Sequence, residues 1–297
     1  MGQHFVPQRY LRNFEDPHHP GYIWVHDRHG GETQLANIAK VAQSRDFYSQ
    51  STETILAETV ERPANLVIQK LTARQPVTTS ERVQLAHYVA VMMKRIPAHR
   101  RRSSEMLPEV LADLVTEVRS YLNALADQVG ADPEILKRRA LELDAVERKF
   151  QAHPPPNVLE QIREPWPSRQ MVQLLFRLTW RVLISSGPAY FLTSDNPAFH
   201  FRGLGLARKE SELSFPLSTH YLLHGSWQQA DSDLVFVNAE QALVKEINRR
   251  IVSEAERLVF YHQAADWLPK MFKRENLPLN KIEWQKGYFA CSACPTR

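Results

Sequence analysis

Three carboxylates and one histidine carry the first suggestion of chemistry in this chain. In "STETILAETVERPANLVIQKLTA", Glu53, Ala57 and Glu61 follow one another at steps of four, so an unbroken helix holds both carboxylates on nearly one face, two turns apart. In "FLTSDNPAFHF", Ser194, Asp195 and Asn196 come directly after an apolar run, and a carboxylate at a strand end is rigidly placed yet close to the surface. Glu53, Glu61 and Asp195, with His4, form the hard-ligand set that would hold magnesium or manganese and leave positions open for water and substrate. The plainer alternatives are a solvated acidic helix face for the glutamates, and an Asx turn before Pro197 for Asp195 and Asn196.

Basic residues complete the candidate site. "KRIPAHRRR", residues 94–102, contains five Lys and Arg side chains and no acid. It reads either as a phosphate-facing patch for nucleic acid, running from Lys94 to Arg102 and including Arg100, or as the solvated end of a helix. Arg95 stands apart because it lies beside an apolar stripe, where its stem can be buried while its guanidinium forks a phosphate or carboxylate; pairing with Glu61 or Asp195 is the structural alternative. The opening stretch "HFVPQRYLRNF" threads His4, Gln8 and Arg12 among five large apolar residues. A mostly solvated arm has no use for those, so this one is expected to dock and to deliver His4 and Gln8 to a cleft near the carboxylates, with His4, Gln8 and Arg12 sharing a face if Pro7 starts a helical turn. There His4 serves as general acid, general base or ligand, or it simply satisfies a backbone group.

The elements that must position these residues are legible in outline. "GYIWVHDRHGGETQLANI" predicts a β-hairpin over residues 22–38. The segment carrying Glu53 and Glu61 predicts a helix with a kink near Pro63. "TTSERVQLAHYVAVMMKRIP" opens with a capping box, Thr78 to Glu81, and continues with a helical stripe. Two more helices are expected over Glu105–Val129 and Pro133–Phe150, as a helical insertion or cap, and a further one in "SRQMVQLLFRLTWRVLIS" through Met171, Leu175, Leu178 and Val182. The runs "AYFLTS", "THYLLHG", "DLVFVN" and "RLVFYH" read as short strands, with a helix in "AEQALVKEINRRIVSEA" between the last two. The fold class is therefore α+β and predominantly helical. It is an N-terminal arm and hairpin (1–50), a helical middle (51–151) and a C-terminal mixed segment with a small sheet (157–297), read as one composite domain whose best boundary is "AHPPP" at 152–156.

At 297 residues and 43% hydrophobic side chains the chain can bury a real core, and its net charge of +4 is mild. No apolar run approaches the ~20 residues of a membrane span, and the opening residues fit neither a signal peptide nor a myristoylation signal, so a cytoplasmic protein without a lipid anchor is expected. Cys291 and Cys294 form a lone C-x-x-C pair, half of a zinc site at most, and receive no role. The chain lacks Gly-x-Ser-x-Gly, Gly-x-Gly-x-x-Gly and Walker motifs, which argues against a serine nucleophile elbow or a nucleotide cradle.

Several segments together resemble a known family. "HFVPQRYLRNF", "RDFYS", the Glu53–Glu61 helix, "KRIPAHR", Trp180, "FLTSDNP" and "FPLSTHYLL" are similar to the domain of unknown function numbered 4238, over nearly the whole chain. Arg9 departs from the pattern, where an aromatic is commoner. The resemblance implies a shared fold and a recurring polar set, without a reaction or cofactor. The residues themselves point to a metal-assisted phosphodiester hydrolase acting on nucleic acid, with catalytic His4, Glu61 and Asp195, metal ligands Glu53, Glu61 and Asp195, and substrate contacts from Gln8, Arg95, Arg100, Ser194 and Asn196. The alternative is a non-catalytic binding or sensing module for a nucleotide, a nucleic-acid end or a peptide.

Overall fold

A computed structural model describes residues 2–45, 47–126, 132–200, 205–230, 232–272 and 282; Cys291 and Cys294 lie outside the described residues. Helix outweighs strand, 52% to 19%, in a helix-dominated α+β fold. The chain divides into two compact units, Met1–Ile96 with Pro165–Arg297, and Pro97–Glu164. None of the described helices is long and apolar enough to cross a membrane.

The first unit begins with strand β1 (Gly2–His4), helix α1 (Gln8–Leu11) and a 3-10 turn at Arg12–Phe14. The expected hairpin forms from β2 (Tyr22–Asp27) and β3 (Thr33–Asn37), pairing Tyr22 with Asn37, and β4 (Gln43–Arg45) pairs antiparallel with β1. One continuous helical stretch follows: α2 (Gln50–Ile55), a π-helical turn at Leu56–Glu61, and α3 (Arg62–Thr72). The predicted kink is thus a π turn. Pro63 has no N–H and its ring crowds the carbonyl four residues back, and widening to an i→i+5 pattern, seen in the bond from the Arg62 N–H to the Ala57 carbonyl, accommodates it without breaking the helix. Helix α4 (Thr79–Lys94) starts with the reciprocal Thr78–Glu81 capping box.

The second unit is helical: α5 (Pro97–Ala126), α6 (Pro133–Ala152) and α7 (Pro156–Arg163). It is held by little burial, with Ala98, Leu111 and Val115 the buried residues of α5, and by surface pairs such as Arg119 with Asp144 at 2.9 Å. The 152–156 stretch lies inside this unit, between α6 and α7.

The chain returns to the first unit with α8 (Arg169–Arg177), which ends where the sequence predicted a longer helix. Residues Thr179–Ser185 are instead strand β5. Two causes are visible. Arg82 from α4 donates to the Phe176 and Leu178 carbonyls, closing the helix end, and lies 4.9 Å over the Trp180 ring. In addition, β5 is an interior strand of a five-stranded sheet ordered β10-β5-β9-β8-β7 and is buried on both faces, so its apolar residues run without alternation. The other members are β7 (Phe199–His200), β8 (Glu212–Pro216), β9 (Tyr221–Ser226) and β10 (Leu234–Ala239), while β6 (Thr193–Ser194) is all of "AYFLTS" that is strand. Helix α9 (Gln241–Glu254) and strand β11 (Leu258–Tyr261) follow, then α10 (Leu268–Phe272); β11 joins the hairpin and β6 into a second sheet, β3-β2-β11-β6. Adjacent residues of β5 serve different cores. Val182 packs with the arm and α4, and Leu183 with α9 and β11.

Candidate functional site

The arm docks as its apolar residues require. Phe5, Val6, Tyr10, Leu11 and Phe14 are all buried, and Tyr10 stacks on Phe215 while its hydroxyl donates to the Pro216 carbonyl and sits 2.8 Å from Thr193 Oγ1. His4, however, does not share a helical face with Gln8. It ends β1, whereas Gln8 is half-buried on α1 and Arg12 is exposed. Pro7 does begin the helical turn, but only after a strand pairing has claimed residues 2–4.

Around His4 the structure assembles a cluster from three elements. Arg95, fully buried just past the end of α4, donates to Glu61 through Nη1 and to both the His4 carbonyl and the Tyr48 hydroxyl through Nη2. The Tyr48 hydroxyl in turn donates to the His4 carbonyl at 2.8 Å. Glu53 lies with Oε2 3.9 Å from Arg95 Nη2, and its side chain is 29% exposed against 14% for Glu61. Burial works against the Arg95 charge, but Glu61 foremost, then Tyr48 and Glu53, hold it protonated. Burial also pushes the Tyr48 hydroxyl well above its ordinary range, so it remains a donor.

The imidazole of His4 is set up differently. A ring N–H donates to the Ala39 carbonyl, and Nε2 is buried with no hydrogen-bond partner, which leaves Nδ1 as the donor and Nε2 as a bare lone pair. Burial holds its pKa below the ordinary value, Glu53 raising it and Arg95 lowering it further. The side chain is therefore neutral at pH 7, in the tautomer a general base requires. Glu53 Oε2 and Arg95 Nε are also buried without hydrogen-bond partners.

Ser194, Asp195 and Asn196 belong to a separate arrangement. Asp195 Oδ1 accepts from the Glu256 N–H, and Oδ2 from those of Arg257 and Leu258, all at 2.8–2.9 Å. Asn196 donates to the Glu254 carbonyl at 2.9 Å, and Ser194 Oγ bonds the backbone of Asn196. Together they latch the turn between α9 and β11. Burial pushes the Asp195 carboxyl up to about 6, against the pull of those backbone donors. The expected ligand set Glu53, Glu61 and Asp195 is thus divided. Among the described residues no three His, Cys, Asp or Glu side chains stand together as a metal site needs. In the arm cluster the carboxylates are balanced by the Arg95 guanidinium, whereas the Asp195 carboxyl is met by neutral peptide N–H donors.

The basic run divides as well. Lys94 and Arg95 belong to the first unit and Arg100–Arg102 to the second, where Arg100 donates to the Arg163 carbonyl at 2.7 Å and Arg101 lies 3.6 Å from Glu105. Lys94 donates to the Trp166 carbonyl at 2.9 Å. Reasoning from residue types missed Tyr48 and the Ala39 carbonyl. Tyr48 stood within "RDFYS", one of the segments carrying the family resemblance, but a backbone carbonyl leaves no mark in a sequence.

No curated protein and no solved structure matches the chain. The model of the family described as "Protein of unknown function (DUF4238)" matches residues 2–265, covering the arm, the Glu53–Glu61 helix, Arg95 and the Asp195 latch, and the chain belongs to that family.

Proposed function

We propose that the arm cluster is an acid–base site of a hydrolase, with a phosphodiester in nucleic acid as its substrate class, working without a metal caged by the protein. The observation that carries this reading is the buried, unpartnered Nε2 of a neutral His4 whose other ring nitrogen is fixed by Ala39. Nε2 takes a proton from water as the water oxygen bonds to phosphorus, and the imidazolium so formed returns that proton to the leaving oxygen as its bond to phosphorus breaks. Glu53 stabilises the imidazolium, while Arg95, held by Glu61, positions the His4 backbone and Tyr48. The net charge of +4 favours a polyanionic substrate over a cationic one.

The test is cleavage of end-labelled single- and double-stranded oligonucleotides in the presence of EDTA. Cleavage should persist in the chelator and fall on the order of a hundredfold or more in His4→Ala, with the melting temperature held by the apolar anchors of the arm. Failure to cleave any oligonucleotide, or full activity of His4→Ala, overturns the hydrolase reading. One observation favours a second reading: His4 Nε2 and Glu53 Oε2 are both acceptors, which suits a donor such as the amino end of a peptide, held without turnover. Calorimetric binding of a short peptide, lost on N-acetylation, with no cleavage activity, would select it.

A further inference from the structure

A cavity of about 720 Å³ opens between α9, α10 and the Pro188–Tyr190 segment, in the range that encloses a small organic molecule. It is independent of the arm cluster, and its lining is of two kinds. Tyr190, Trp267 and Met271 supply aromatic and apolar wall, with Trp267 39% exposed. Lys245, Arg249 and Lys270 supply positive charge, and Glu246 is the lining carboxylate. Glu246 is already engaged, bonded to Arg249 at 2.9 Å and to Arg250 at 3.2 Å. Lys245 and Lys270 are left without an ion pair among the described residues, so the cavity carries uncompensated positive charge.

A further feature fits an anion. Gln241 and Ala242, the first residues of α9, line the cavity. The helix has no side-chain cap at Glu240 and no acid in its first turn, and its first intrahelical bond is made by the Val244 N–H, so its positive end opens on this space. Tyr190, 5% exposed, turns its ring and a buried hydroxyl to this wall, where Gln263 is the side chain that interacts with that hydroxyl. The wall is also preformed. The Asn248 amide donates to the Tyr190 carbonyl at 2.7 Å and accepts from the Leu192 N–H at 3.0 Å, and the Tyr190 ring packs edge-on to His262 at 4.2 Å.

We infer that this cavity is a binding site for a small aromatic acid, its ring against Trp267 and Tyr190 and its anionic group between Lys245, Lys270 and the start of α9. The test uses 2-naphthoate and the uncharged 2-naphthylmethanol as probes on the full chain, by calorimetry and tryptophan fluorescence. Naphthoate should bind one to one, at least tenfold more tightly than the alcohol. Lys245→Gln with Lys270→Gln should remove that preference, Lys245→Arg with Lys270→Arg should keep it, and Ala242→Trp should abolish binding of both probes by filling the space. The inference is overturned if naphthoate does not bind, if acid and alcohol bind equally, or if naphthoate affinity is indifferent to both the glutamine and the tryptophan changes.

Discussion

The arm cluster and the Ser194–Asn196 latch each place polar side chains in the interior at the end of a short strand, and they differ in what those side chains have left to bond. Every carboxylate oxygen of Asp195 is taken up by peptide N–H groups of the next turn, whereas the arm cluster ends with His4 Nε2 and Arg95 Nε without hydrogen-bond partners and Glu53 Oε2 held only by a 3.9 Å ion pair to Arg95. A buried polar group without a partner costs about 1–3 kcal/mol. A fold that retains such groups in one half-buried place, while satisfying the more deeply buried Asp195 completely, has reserved the first place for something other than stability. Residue type alone ranks the two clusters equally; only their hydrogen-bond partners separate them.

The largest effect that could break this contrast is at the latch. Asp195→Ala strands three backbone donors, so stability measured by urea denaturation should fall on the order of 5 kcal/mol. Whatever folds should retain its specific activity. An Asp195 variant that is stable but inactive would return this residue to the chemistry.

Next comes Glu61→Gln, which leaves the buried Arg95 without its principal counter-charge and should cost roughly 3–5 kcal/mol by the same measurement. Should the variant prove as stable as the wild type and still lose activity, Glu61 belongs with His4 rather than with the scaffold.

The smallest effect, and the one that sharpens the comparison most, is the opposite pH dependence of the two sites. Asp195 has a folded pKa near 6, above the ordinary value of about 3.9 for an unfolded aspartate. The folded state therefore binds more protons between these values, and the stability contribution is complete below about pH 4 and lost as pH rises toward 6. His4 has a folded pKa below its ordinary value, so its contribution is complete above about pH 6.5 and lost as pH falls through the folded value. Urea midpoints measured from pH 4 to 8 should show the first slope vanish in Asp195→Asn and the second vanish in His4→Ala. Identical profiles for the two variants would mean that the sites are not electrostatically distinct.

Much of the scaffold is legible in the residues themselves. The docked arm, the hairpin, the capped start of α4 and the helix of Val244, Ile247 and Ile251 each follow from a short-range signal: large apolar residues, a glycine turn, a Thr-x-x-Glu box, a 3.6-residue period. The run "LTWRVLIS" escapes such signals for a physical reason. A strand buried on both faces loses its alternation, and its change from helix is set by Arg82, nearly a hundred residues away. The π turn before Pro63 likewise records how a helix absorbs a missing donor, which composition alone does not specify.

The sequence by itself determined that the arm around His4 would dock and that the stem of Arg95 could be buried, because large apolar residues flank both; Asp195, expected close to the surface, is buried instead. Which of those residues would meet was decided only by tertiary structure. Glu53, Glu61 and Asp195 are equal as carboxylates, but β1–β4 pairing brings His4 to the first two, while β6–β11 pairing sets the third against backbone donors. The cavity of Lys245, Trp267 and Lys270 arises in the same way. Charge and aromatic surface are local properties of a chain, whereas a shared site depends on the distances that packing imposes between elements, and short-range periodicity carries no information about those distances.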